Sequence, residues 1–159
     1  MTTNIDNMSV LDRRRIEAGV LGPMLQAFEK EFGKERTRTL ARRVITEIAQ
    51  SQGKALAERL GGDDLPTFAS GKEPWTRNGA LEIEVLESNQ QRYSFNVTRC
   101  RYAEMYKELG IAELGSILSC GRDFALSGGF NPRIKLTRTQ TIMEGATHCD
   151  FRFTQKTEG

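Results

Sequence analysis

Apolar residues recur at helical spacing through the first third of the chain. Ser9 or Asp12 can cap a helix running through Ile16 and Val20, and Pro23 is expected to kink or restart it. Leu21, Leu25, Phe28 and Phe32 carry the stripe on to Gly33, which stops it. A second, longer helix follows, with Leu40, Val44 and Ile48, and also Ile45, Ala49, Leu56 and Leu60, on its apolar side as far as Gly61-Gly62. Residues 63–79, DDLPTFASGKEPWTRNG, hold prolines and turn-forming clusters and read as a loop.

The period then changes to two. Ala80–Leu86 alternates Leu81, Ile83 and Val85 with Glu82 and Glu84, and Gln91–Arg101 alternates again, so the pair predicts a hairpin. Ala103–Leu109 and Ile111–Leu126 read as helices, the second with Leu114, Ile117, Leu118 and Phe124 inward, before Gly128-Gly129 breaks the chain. Ile134–Ile142 and His148–Thr154 are two further strands. The order predicts one α+β domain over 1–159: a helical part at 9–62, a loop at 63–79, and a sheet with helices at 80–154. A helical N-terminal half would pack on a mainly antiparallel four-stranded sheet, with two further helices between the hairpins.

Composition narrows the function classes. Hydrophobic residues make up 38% and charged residues 28%, with no apolar run long enough to span a bilayer, so a soluble protein without a membrane partner is expected. The N-terminus lacks the apolar stretch of a secretory signal, which predicts a cytoplasmic location. A net charge of +2 does not call for nucleic acid, and the basic clusters Arg13–Arg15 and Lys34–Arg43 read as solvated helix faces. Three cysteines without a CxxC pair are best read as free thiols, in the bland case small buried hydrophobes. With no HxxxH, CxxC or HxE spacing, no metal and no other cofactor is expected.

Spacing sorts the chemistry. Cys120 and Asp123 lie three apart on one helix and share a face. A carboxylate beside a thiol raises the thiol pKa, so the pair makes sense where Asp123 moves a proton or binds a cationic substrate group while Cys120 attacks, or where both bind a metal. On the last strand Cys149 points with Phe151 and Phe153, and His148 points with Asp150 and Arg152. The run His148-Cys149-Asp150 is therefore no catalytic triad, because adjacent strand residues cannot converge on one atom. By the same parity Cys100 shares a face with Thr98 and Tyr102, opposite Phe95 and Val97. Trp75 either pins its loop to the core or covers a pocket.

Three stretches carry a family resemblance: RRRIEAGVLGPMLQAFEKEFG at 13–33, FNVTRCRYAEMYKELGIAELGSILSCGRDFALSGGFNP at 95–132, and IKLTRTQTIMEGATHCDFRF at 134–153. The chain resembles the L-2-amino-thiazoline-4-carboxylic acid hydrolase family, most specifically in the order Cys100, Cys120 with Asp123, and Cys149-Asp150. Gly145-Ala146 stands where an acid would be expected after the turn glycine, and the nearest acid is Glu144. The resemblance implies hydrolysis at an amidine-like or amide-like C–N bond of a small heterocyclic substrate. Cys120 would be the nucleophile with Cys149 as second choice, and Asp123 the proton carrier. Arg138 or Arg101 would take a substrate carboxylate. Trp75, Cys100, Asp150 and His148 would complete the substrate contacts, His148 at the rim. Self-association is expected, since short enzymes often complete a pocket with a neighbour's residues. The rival is a binding module like the 4-vinyl reductase-like domains, and fast alkylation of one thiol would favour the enzyme.

Overall fold

The computed structural model describes residue 5 and residues 7–156. Helix α1, Val10–Phe32, starts where the Ser9 side chain accepts from the Asp12 amide, and it runs unbroken through Pro23. Its inward stripe is Val10, Arg14, Ala18 and Gly22, not Ile16 and Val20, which are exposed. The small residues let neighbours approach closely: a Cβ on Gly22 would lie 2.9 Å from Ile111. Helix α2, Lys34–Leu60, ends at Gly61 with φ +73°, a left-handed cap that glycine adopts without a Cβ clash. Ile45, Ala49 and Leu56 face inward, while Leu40, Val44 and Ile48 lie on the exposed side.

The segment read as a loop contains two short helices, α3 (Leu65–Ser70) and α4 (Glu73–Thr76). Each has a proline at its start, where the missing N–H removes no helical bond. Asp64 caps the first by accepting from the Thr67 amide. The four strands β1 (Leu81–Ser88), β2 (Arg92–Cys100), β3 (Ile134–Thr137) and β4 (Cys149–Gln155) form one antiparallel sheet in the order β1-β2-β4-β3. The architecture is α+β, as predicted. Strand β3 is shorter than its apolar pattern implied, because after Thr137 the chain turns away to Asp150, which accepts from the Thr139 and Gln140 amides.

Two register changes decide which side chains meet. The β1–β2 pairing slips between Glu82↔Arg99 and Ile83↔Val97, so β2 carries an extra residue there. Such a bulge inverts alternation locally. Cys100 is therefore buried with Val97, contrary to strand parity. Between the hairpins come α5 (Arg101–Glu108), α6 (Ala112–Gly115), a π-helical turn (Ser116–Cys120) and α7 (Arg122–Phe130). The wider turn rotates everything after Cys120 relative to a continuous α-helix. Phe124, expected inside, is 47% exposed, and its ring lies under the Arg138 guanidinium at 5.0 Å.

Gly128-Gly129 does not break the chain; both lie inside α7. A Cβ on Gly129 would sit 2.2 Å from the Gln50 carbonyl, and one on Gly53 2.2 Å from the Leu126 carbonyl. The backbones of α2 and α7 thus touch at glycines on both sides, which clamps α7 over the sheet. The inner sheet face, with Tyr93, Phe95, Val97, Cys149, Phe151 and Phe153, supplies the other wall of the space below it.

Candidate active site

A cavity of about 70 Å³ lies between α1, α7 and the sheet. Cys100, Cys120 and Cys149 all line it, with Asp123, Arg138 and Trp75. Each thiol arrives from a different element: Cys100 from the end of β2, Cys120 from the π-helical turn, Cys149 from the start of β4. Two of them are tied to backbone. Cys100 Sγ accepts from the Ala103 amide at 3.4 Å, capping α5, and Cys149 Sγ accepts from the Ile142 amide at 3.2 Å. Cys120 Sγ accepts no hydrogen bond among the described residues.

Arg138 organises the Cys120 side. Its Nη1 donates to Asp123 Oδ2 at 2.7 Å and its Nη2 to the Cys120 carbonyl at 3.1 Å. The guanidinium sits between the Phe124 and Phe151 rings, 5.0 and 5.1 Å from their centroids. Planar, delocalised charge suits that slot, where a lysine would satisfy neither the forked bonds nor the stacking.

Electrostatics keep the thiols protonated. Burial pushes Cys120 far up, and the Asp123 charge adds to it against the pull of Arg138. Burial raises Cys100 to about 11 and also raises Cys149. Asp123 is itself raised by burial, with the Arg138 charge and hydrogen bond opposing. A carboxyl held above its ordinary value beside a neutral thiol is suited to carrying a proton.

The cavity has two neighbours. Trp75, Leu81, Asp123, Leu126 and Phe151 also border an aromatic hollow of about 90 Å³ that reaches Phe68, Tyr93, Phe95 and Phe153. On the other side Cys120, Arg138 and Thr141 also line a polar cleft of about 300 Å³ with Arg42, Thr46 and Glu144. Cys120 and Arg138 thus stand at the partition between cleft and cavity.

Not every sequence candidate comes to the cavity. Arg101 is exposed and donates to the Asn78 carbonyl at 3.2 Å. The Asp150 carboxylate is committed to Thr139 and Gln140; burial pushes it up, but those hydrogen bonds outweigh burial and leave it lowered. His148 lies against Gln140 and Thr147, away from the cavity lining. No group of three His, Cys, Asp or Glu among the described residues is placed to hold a metal ion.

Two residues passed over in the sequence do line the cavity. Arg14 and Arg122 are each 6% exposed. Arg14 Nη1 donates to both Glu17 carboxylate oxygens at 3.0 Å, and Arg122 Nη2 reaches Glu17 Oε2 at 3.2 Å. Arg14 belongs to a basic cluster read as solvated. The signal against that reading was its place in the stripe Val10-Arg14-Ala18-Gly22, four residues apart each time. Burial, joined by the Arg14 charge, pulls the Arg122 guanidinium down to about 10, with Glu17 opposing.

The fold has known likenesses. The phenol-responsive sensory domain of the transcription activator PoxR, solved with phenol, aligns with a TM-score of 0.55 at 13% identity over 85% of this chain and 72% of that one. A trafficking protein particle complex subunit 3 from Naegleria fowleri, covalently bound to palmitic acid, aligns with a TM-score of 0.54 at 11% identity over 91% and 96%. At these identities the likeness is one of fold. No curated protein sequence matches the chain. A family model described as L-2-amino-thiazoline-4-carboxylic acid hydrolase matches residues 13–153, and the chain belongs to that family.

Proposed function

We propose that this member of a hydrolase family opens a cyclic amidine- or isothiourea-like C–N bond in a small heterocycle, with Cys120 as nucleophile and Asp123 as proton carrier. The observation that carries the reading is the contrast among the three thiols. Cys100 and Cys149 are bound to backbone amides, whereas the Cys120 sulfur is uncommitted and lies beside the Asp123–Arg138 pair. A thiol raised this far does not attack as a preformed thiolate, so proton transfer accompanies attack. Cys120 Sγ adds to the ring carbon and its proton passes to Asp123. Asp123 returns that proton to the ring nitrogen as the C–N bond breaks. Water then displaces the sulfur, its hydroxyl going to carbon and its proton to Cys120.

Arg138 holds Asp123 in position and needs no bond of its own to substrate. Self-association and a cytoplasmic location belong to this reading as expectations. No helix among the described residues is long and apolar enough to cross a membrane.

A second reading has its own support. The aromatic hollow beside Asp123, on a fold shared with a phenol-responsive sensory domain, suits an apolar ligand held without turnover. Incubation with L-2-amino-thiazoline-4-carboxylic acid separates the two. The hydrolase reading expects a ring-opened product one water heavier by mass spectrometry. Saturable binding with the compound recovered unchanged defeats the hydrolase reading for this ring, and saturable binding of phenol supports the binding module.

A raised thiol pKa slows alkylation, so turnover is the stronger discriminator between the two readings.

A further inference from the structure

The cavity lining also holds an incompletely paired cation, Arg122. Arg122 is buried, and its donors are only partly used. Nε donates to the Leu118 carbonyl at 2.7 Å and Nη2 to Glu17, while Nη1 is buried with no acceptor among the described residues. Buried guanidinium donors are rarely left unpaired, since each lost partner costs the desolvation of a charged group. Around the cavity, Arg14, Arg122 and Arg138 face Asp123 and, behind them, Glu17, so three cations meet two carboxylates. One further negative charge would both balance the site and satisfy Nη1.

We propose that Arg122, backed by Arg14, is an anion subsite that receives the carboxylate of a substrate whose cationic ring end lies at Asp123. The inference rests on the hydrolase reading for the identity of the ring, but the subsite stands on its own geometry. It replaces Arg138 and Arg101 in that role. Arg138 has both terminal nitrogens engaged by Asp123 and Cys120, and Arg101 lies outside the cavity. Glu17, being 38% exposed at its side chain, acts as the resident counter-ion that tunes the subsite. A ligand held by an anion at one end and a cation at the other is fixed in orientation across Cys120, which is what a ring attacked at one carbon requires.

The test measures binding, with the full chain. Acetate, then 2-aminothiazole-4-carboxylate, whose aromatic ring resists opening, are titrated while the Arg122 Nε–H resonance is followed by NMR. The corresponding 4-carboxamide is the uncharged control. Both anions should move the resonance saturably, and the acid should bind about tenfold or more tighter than the amide, as expected for a charge-assisted bond at a buried donor. Glu17→Gln should tighten the acid several-fold and leave the amide unchanged, a gain that a purely structural Arg122 would not give. Arg122→Gln, where folded by circular dichroism, should erase the preference for the acid. Where the acid does bind, an affinity no greater than its amide's, or one unaltered in Glu17→Gln, overturns the subsite. Acetate moving Arg122 while neither thiazole binds upholds the subsite and defeats the ring assignment. Failure of every anion to reach Arg122 overturns the subsite whatever the turnover.

Discussion

Two hollows of the molecule are opposite in character. Between α1 and α2 runs an open groove of about 510 Å³, walled chiefly by Leu21, Leu25, Phe28, Phe32, Leu40 and Val44. Between the helices and the sheet lies the cavity of about 70 Å³ that gathers three thiols, a carboxylate and three guanidiniums. The groove has the volume and the cavity has the chemistry. Apolar walls offer a ligand only area, which gives affinity with little direction. Converging buried polar groups strengthen one another's fields in a low dielectric and can act on a bond. Size is therefore the poorer guide to the site.

That contrast can be broken experimentally. The largest effect is expected for Cys120→Ser, which keeps shape but weakens the nucleophile: turnover should fall by roughly a thousandfold or more, with stability little changed. Near-normal turnover of the folded variant would move the nucleophile to Cys149.

Alkaline pH probes the same region. Folding raises Cys100 from 9.0 to about 11 and raises Cys120 and Cys149, so the folded state keeps protons that the unfolded chain releases. The stability this represents is present below pH 9 and is lost as pH climbs through the folded values. Each such thiol should steepen the fall by about 1.4 kcal/mol per pH unit above its unfolded pKa. Urea midpoints from pH 8 to 11 should therefore drop, and Cys100→Ala should flatten the drop by about one proton. A pH-independent midpoint would show that the thiols are not buried as described.

The smallest effect is expected in the groove. Leu40 is 50% exposed, so Leu40→Gln should change stability by no more than about 0.5 kcal/mol and leave turnover intact. Lost turnover there would make the groove part of the site and erase the distinction.

The sequence by itself determined the helical N-terminal half, the four antiparallel strands and the family. These rest on periodicity, caps and chain order, all properties of neighbours along the chain. It also paired Cys120 with Asp123, and both line the cavity, although the π-helical turn and not one continuous helix brings them there. Tertiary structure decided the rest. Whether Arg14 is solvated depends on what α1 packs against. Gly128-Gly129 reads as a break until α2 lies across it and makes the missing Cβ a contact surface. One bulge at β2 and one π-helical turn before α7 each rotate the side chains that follow, burying Cys100 and turning Phe124 out to Arg138. A one-residue offset leaves composition and apolar pattern untouched while reversing which face a side chain takes, so that choice is made by packing between distant segments.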